Sequence, residues 1–138
     1  MIERKNRNRG FKKLRVWQDS LELFVLVHKT LKNLSYDYNK PKSNTLDAAH
    51  SILRNIAEGY CRRSPKEYIN FLNYAIGSSG ELNSGMIGFQ KTGVISEEDF
   101  ENFDVLHYKV ENELLKLAES IQKKIKENDW DQEYGKSE

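Results

Sequence analysis

The chain has 138 residues, 31% charged and 38% hydrophobic, with a formal net charge of +1. That length is one domain's worth, able to bury roughly 65–70% of the surface its unfolded form exposes, so neither disulfides nor a structural metal are needed for folding. A mean hydropathy of −0.77, with Leu23-Phe24-Val25-Leu26-Val27 as the longest apolar run, excludes both a disordered chain and a membrane span of ~20 apolar residues.

Met1-Ile2-Glu3-Arg4-Lys5-Asn6-Arg7 is charged with no apolar stretch behind it, which speaks against a secretory signal. The lone Cys61 has no internal disulfide partner, so a reducing cytoplasm is expected. The small net charge hides an uneven distribution. Arg4, Lys5, Arg7, Arg9, Lys12, Lys13 and Arg15 crowd the N-terminal end, whereas Glu127, Asp129, Asp131, Glu133 and Glu138 make the other end acidic. The expected organisation is a basic arm over 1–13, a helical body over 14–127 and an acidic tail over 128–138.

Four stretches of helical period and only two prolines make the chain all-α. The first, about Leu14 to Leu34, spaces Trp17, Leu21, Phe24, Val27, His28 and Leu31 as one apolar stripe. Leu23, Val25 and Leu26 fall outside it, so more than one face is expected to be buried. Ser35 to Ser43 mixes turn formers with Pro41 and reads as a connection. The period returns from about Asn44 with Leu46, Ala49, Leu53, Ile56 and Tyr60, then weakens at Gly59 and Arg62-Arg63.

Ser64-Pro65-Lys66-Glu67 is the sharpest boundary: a capping hydroxyl, a proline at the first helical position and a glutamate placed to bond back to the cap. The third helix runs through Tyr68, Phe71, Leu72, Ala75, Leu82, Met86 and Phe89 to about Lys91, with Gly93 as a left-handed stop. Gly77, Gly80, Gly85 and Gly88 inside it each cost roughly 1 kcal/mol relative to alanine, and close helix approach is expected to offset them. Ser96-Glu97-Glu98-Asp99 caps a fourth helix striped by Phe103, Leu106, Val110, Leu114, Leu117, Ile121 and Ile125. Four helices with short links predict an antiparallel up-and-down four-helix bundle. Periodicity is lost after about Asn128, where Trp130 and Tyr134 are available to dock back or to meet a partner.

Candidate chemistry is sparse. Asp47-Ala48-Ala49-His50 and Asp104-Val105-Leu106-His107 place a carboxylate three residues before a histidine on two helices, a pattern used by di-metal bundles. At about 100° per residue, however, Asp47 points roughly 160° away from Ala49 and cannot enter the same core, so no metal site is expected. Cys61, His28, His50 and His107 show no nucleophile and base spacing, and Gly85 to Thr92 lacks the uninterrupted Gly-Lys-Thr and the preceding strand of a phosphate loop. No catalytic residue is assigned.

Asp47, Ser51, Arg54, Glu58 and Arg62 form a polar stripe opposite Ala49, read either as a solvated face laced by ion pairs or as a contact between subunits. The basic arm is the main nucleic-acid candidate, since each Lys or Arg can neutralise a phosphate and Phe11 and Trp17 offer stacking surfaces. The competing reading is a solubilising arm whose aromatics belong to the first helix's core.

Several blocks resemble a known family. Phe11-Lys12-Lys13-Leu14-Arg15-Val16-Trp17-Gln18, Asn55-Ile56-Ala57-Glu58-Gly59, Arg63-Ser64-Pro65-Lys66-Glu67 with Phe71-Leu72, and Ala75-Ile76-Gly77-Ser78 with Glu81-Leu82 look like the four-helix bundle proteins encoded by intervening sequences of bacterial 23S ribosomal RNA genes, the S23 ribosomal protein family. The blocks occur in the family's order from about Phe11 to Ile125. The resemblance implies a ring-like homo-oligomer, a pentamer. The same fold is found in the accessory variability determinant proteins of diversity-generating retroelements, which work with a reverse transcriptase and nucleic acid. Neither group carries an enzymatic activity or a cofactor.

Asn55, Glu58, Ser64, Glu67, Ser78 and Glu81 match the family's polar motif positions. Ser64 and Glu67 are explained by the capping box, whereas the helical wheel places Asn55 and Glu58 away from the intramolecular core, which points toward an oligomer interface. Asn44-Thr45-Leu46-Asp47-Ala48 departs from the family's usual Gln-Leu-Arg-Arg-Ala and removes a basic pair; Arg54 replaces a small residue, and the third helix has surplus glycine. The combined expectation is a cytoplasmic, non-enzymatic homo-oligomer that associates with RNA or DNA through the arm, with Arg62, Arg63 and Lys66 as a second patch. The alternative is a protein-interaction scaffold, such as an accessory partner of a reverse transcriptase.

Overall fold

Two capping serines set the start of half the bundle. In the computed structural model, which describes residues 2–127, Ser64 Oγ accepts from the Glu67 N–H at 3.3 Å and Ser96 Oγ from the Asp99 N–H at 3.0 Å. These bonds satisfy backbone donors that a helix start leaves unpaired. They open α3, Pro65–Lys91, and α4, Glu97–Lys126. Before them come α1, Arg15–Thr30, and α2, Asn39–Cys61. Each of α1 and α3 packs on both α2 and α4, which closes the expected antiparallel up-and-down four-helix bundle.

The α3 to α4 connection is short because Gly93 adopts φ +77°. Its N–H bonds the Gln90 carbonyl at 3.0 Å and the next N–H, of Val94, bonds Phe89 at 2.9 Å, the paired bonds of a Schellman stop. The α1 to α2 connection comes earlier in the chain than expected, with α1 ending before Leu34 and α2 starting before Asn44. α1 ends at Thr30, a 3-10 turn covers Tyr36–Tyr38, and α2 starts at Asn39 rather than near Asn44. Pro41 lies inside α2's first turn, where its missing N–H would lack a partner anyway, so the proline does not exclude helix there.

The core is formed by Leu23 and Val27 of α1, Ile52 and Ile56 of α2, Leu72, Leu82 and Met86 of α3, and Phe103, Val110 and Leu114 of α4, all fully buried. On α1 the stripe is rotated from the expected one: Leu23 is its centre, while Leu21 and His28 are exposed. The missed cue was Ser20, buried because its hydroxyl bonds back to the Val16 carbonyl at 2.6 Å.

The helix-three glycines behave differently from expectation. A Cβ on Gly77, Gly80 or Gly88 would meet nothing within 4 Å, so intramolecular packing does not account for these three. Gly85 does abut α2, where a Cβ would come 2.7 Å from Thr45 Oγ1. A second close helix approach lies at Gly59 of α2, read from sequence as a weakening end. A Cβ there would stand 2.9 Å from both Phe71 Cβ and Tyr68 Cδ1.

Candidate nucleic-acid interface

The basic N-terminal segment is built onto the bundle over much of its length. Arg7–Lys13 forms a 3-10 helix capped by Asn6, whose side chain accepts from the Arg9 N–H at 3.2 Å. Three contacts hold it. Phe11 meets Trp17 edge-on with ring centres 5.1 Å apart, Gln18 Nε2 donates to the Lys12 carbonyl at 2.8 Å, and Cys61 Sγ donates to the Asn8 carbonyl at 3.1 Å. Phe11 and Trp17 are half-buried against each other, so the aromatics offered by sequence as base-stacking surfaces serve to dock the segment on the first helix. Gly10 lets the segment lie close over Tyr60, since a Cβ there would meet the end of the Tyr60 side chain and require it to shift.

That docking separates the basic residues into distinct places. Arg4, Lys5, Arg9, Lys12 and Lys13 surround an open concavity on the segment's own outer side, where Lys5 also pairs with Glu3 at 2.9 Å. Arg7 turns the other way and lines a cleft of about 80 Å³ with Asn8, Tyr60, Cys61, Arg62, Arg63 and Tyr68. Lys66 lies across from Lys126 beside Ile69 and Ile125. Arg15, at the start of α1, acts on the carboxylate of Glu113 on α4.

The cleft sits where α2 ends and α3 begins, and one of its guanidinium groups is held in place by the chain. Arg62 pairs with Glu58 at 3.1 Å and Glu67 at 3.6 Å, and its guanidinium carbon stands 5.1 Å from the Phe71 ring centre. Two family-motif glutamates therefore hold one arginine in place within the chain. Arg63 is exposed at the junction. Such exposed pairs contribute little to stability, but they fix where a positive group points.

The remaining motif positions also acquire intramolecular contacts. Ser51 Oγ and Ser78 Oγ are 2.8 Å apart across α2 and α3, and Asn55 Nδ2 donates to the Ser51 carbonyl at 2.8 Å while lying 2.9 Å from Ser51 Oγ. Asn55 is half-buried, contrary to the wheel reading that left it without a role inside the monomer. The correction is physical: Ser51 and Ser78 are small enough to let a polar network thread between two close helices. Glu81 is exposed, and Asp47 pairs with Arg54 at 3.4 Å on the solvated side of α2.

The two histidine motifs do not converge. His50 is exposed with its ring 4.9 Å from Phe24, whereas His107 is buried and bonded to Ser79. Among the described residues, no group of three or more His, Cys, Asp or Glu is placed to hold a metal ion, and no helix is long and apolar enough to cross a membrane.

One titratable pair escaped the sequence reading. Asp19 of α1 and Glu113 of α4 face each other at a helix interface, with Asp19 Oδ2 3.3 Å from Lys109 Nζ and Glu113 Oε1 fully buried without a hydrogen-bond partner. Burial first, then the adjoining carboxyl of Asp19 and its charge, push the Glu113 carboxyl up to about 7, against the opposing pull of Lys109 and Arg15. The cue was present: both carboxylates sit at three- and four-residue steps within apolar stripes, after Val16 and after Val110.

With the bundle, the basic N-terminal helix and the polar α2–α3 network in place, comparison of the sequence decides the family. The family model described as 23S rRNA-intervening sequence protein matches residues 12–126. The chain belongs to that family. The match begins within the 3-10 helix and ends at the last residue of α4, so the family region is the bundle itself and includes the α2–α3 junction with Arg62, Arg63 and Lys66. Arg4, Lys5, Arg7 and Arg9 precede the 23S rRNA-intervening sequence protein region. No curated protein matches the chain. Trp130 and Tyr134, expected to dock back or to meet a partner, lie outside the described residues.

Proposed function

We propose that this chain is a non-enzymatic, homo-oligomeric assembly protein that associates with RNA, and that it acts by presenting a basic end surface. The observation that carries this reading is the meeting of Arg7 with Arg62 and Arg63 around one cleft, although they come from opposite sides of two helices in the sequence. Docking of the 3-10 helix on α2 orders cations beside the concavity of Arg4, Lys5, Arg9, Lys12 and Lys13. Ordered cations lose less entropy on meeting phosphate than a free arm would. In a ring-like homo-oligomer, a pentamer by family resemblance, repeated copies of this surface would raise the effective concentration of each contact.

Binding of a labelled RNA hairpin and of duplex DNA across a salt series tests this. Steep loss of affinity with salt, and roughly tenfold weaker binding when Arg7, Arg62 and Arg63 are all changed to glutamine, is the expected result. Equal affinity of that variant and the parent overturns the assignment of the cleft. Sedimentation of the purified chain tests the oligomer, and a monomer at micromolar concentration removes it.

A second reading, a protein-interaction scaffold such as an accessory partner of a reverse transcriptase, draws support from the α1 and α4 side. Leu21, Val25, Leu26 and Leu106 line an open apolar groove, and Val105 and Tyr108 are 63% and 64% exposed nearby in sequence. Recovery of a reverse transcriptase with the chain after nuclease treatment would favour it over RNA.

A further inference from the structure

We propose that the open groove between α1 and α4 seats the same groove of a second copy of the chain, the two α1 helices lying antiparallel about a twofold axis that passes between Val25 and Leu26. A closed ring of five is held by head-to-tail contacts, whereas this contact joins copies two by two. It therefore goes beyond the ring-like homo-oligomer proposed above and does not rest on it.

The groove is apolar and open. Leu21, Val25 and Leu26 of α1 and Leu106 of α4 line it together with two charged residues, Glu22 and Lys29. Leu21 and Val25 are 39% and 42% exposed, and Val105, next to Leu106, is 63% exposed. Packing within the chain leaves this surface in water, and cover by a partner would remove it from water.

The charges say what the partner is. Glu22 and Lys29 are seven residues apart, two turns of α1, so they project within about 20° of one line on the helix surface. Both are exposed, and neither forms an ion pair among the described residues. They are also equidistant from the midpoint between Val25 and Leu26. A twofold axis at that midpoint sets each Glu22 opposite the partner's Lys29 and each Lys29 opposite the partner's Glu22, while Val25 and Leu26 of both copies meet at the centre. Parallel α1 helices would set glutamate on glutamate and lysine on lysine, a repulsion that selects the antiparallel arrangement. One surface thus carries both halves of its own complement, which is what an isologous contact requires and a foreign partner does not. A twofold axis perpendicular to the helices also keeps corresponding flanks on the same side, so Leu106 of both copies lies along one edge of the contact.

Exchanging the two charges tests the contact. Glu22→Lys alone and Lys29→Glu alone each turn two opposite-charge pairs into like-charge pairs. Sedimentation at micromolar concentration and low salt should give these variants half the parent's mass, with pairing weakened by about tenfold or more. The double variant, Glu22→Lys with Lys29→Glu, restores both pairs in the reversed sense and should pair within about threefold of the parent. A foreign protein seated in the groove has no means of producing this rescue. Single variants that keep the parent's mass, or a double variant as weak as the singles, overturn the contact and leave the homo-oligomer standing. A parent with the mass of one copy overturns both. Val25→Cys in a Cys61→Ser background gives a reading that needs no charge variant: a short bismaleimide should link two copies into a covalent dimer, and absence of that dimer overturns the contact.

Discussion

His107 Nε2 lies 2.8 Å from the carbonyl oxygen of Ser79 and 3.0 Å from its hydroxyl, joining α4 to α3 inside the core. A carbonyl only accepts, so Nε2 carries a hydrogen and the ring's orientation is defined. Because the backbone oxygen is the closer partner, Ser79→Ala should cost no more than about 1 kcal/mol of unfolding free energy. His107→Ala removes a buried ring and both contacts, and should cost about 2–4 kcal/mol. Urea unfolding of the two variants measures the difference, and equal losses would contradict the carbonyl bond.

The glycines divide by what a methyl group would meet. Gly59→Ala places a Cβ 2.9 Å from Phe71 Cβ and 3.3 Å from the Tyr68 carbonyl, atoms held by packed helices, and should destabilise by about 1–3 kcal/mol. Gly80→Ala meets open space within a regular helix and should stabilise the monomer by about 0.5–1 kcal/mol. Thermal melts of the two variants should move in opposite directions.

Glu113 makes stability depend on pH. Its carboxyl is held at about 7 in the folded chain against an ordinary value of 4.5, so between these pH values the folded state binds more protons than the unfolded state. The pair's contribution is complete below about 4.5, declines as pH rises toward 7, and is lost above it. Glu113→Gln keeps the neutral form at every pH. The melting temperature of that variant, relative to the parent, should therefore rise by a few degrees between pH 4.5 and pH 7.5 and stay level beyond.

Phe11 anchors the N-terminal 3-10 helix against Trp17. Phe11→Ala should cost about 1–3 kcal/mol, less than full burial of the ring would imply, because the residue is half-exposed. Undocking also releases the Cys61 contact to the Asn8 carbonyl, so maleimide labelling of Cys61 should accelerate in this variant while its helical circular dichroism stays near that of the parent.

Much of this protein was legible as local pattern. Ser64, Pro65 and Ser96 mark helix starts, and Gly93 a helix stop, through interactions completed within five residues. The apolar periods of α2, α3 and α4 carried the all-α class and the bundle, since burial follows directly from spacing on a helix of known pitch. Blocks from Phe11 to Leu82 carried the family resemblance.

What the sequence by itself determined, then, was the presence of the four main helices and the kind of bundle they form, because these follow from short-range geometry and solvent aversion. Only the tertiary structure decided which close approach uses a glycine, placing it at Gly59 and Gly85 while leaving Gly77, Gly80 and Gly88 open. It also gave Asn55 a monomer role beside Ser51 and Ser78, set Asp19 against Glu113, and turned Arg7 toward Arg62 and Arg63. Each of these joins residues from different segments, and the relative rotation of packed helices, which one chain's periodicity leaves undetermined, is what brings them together.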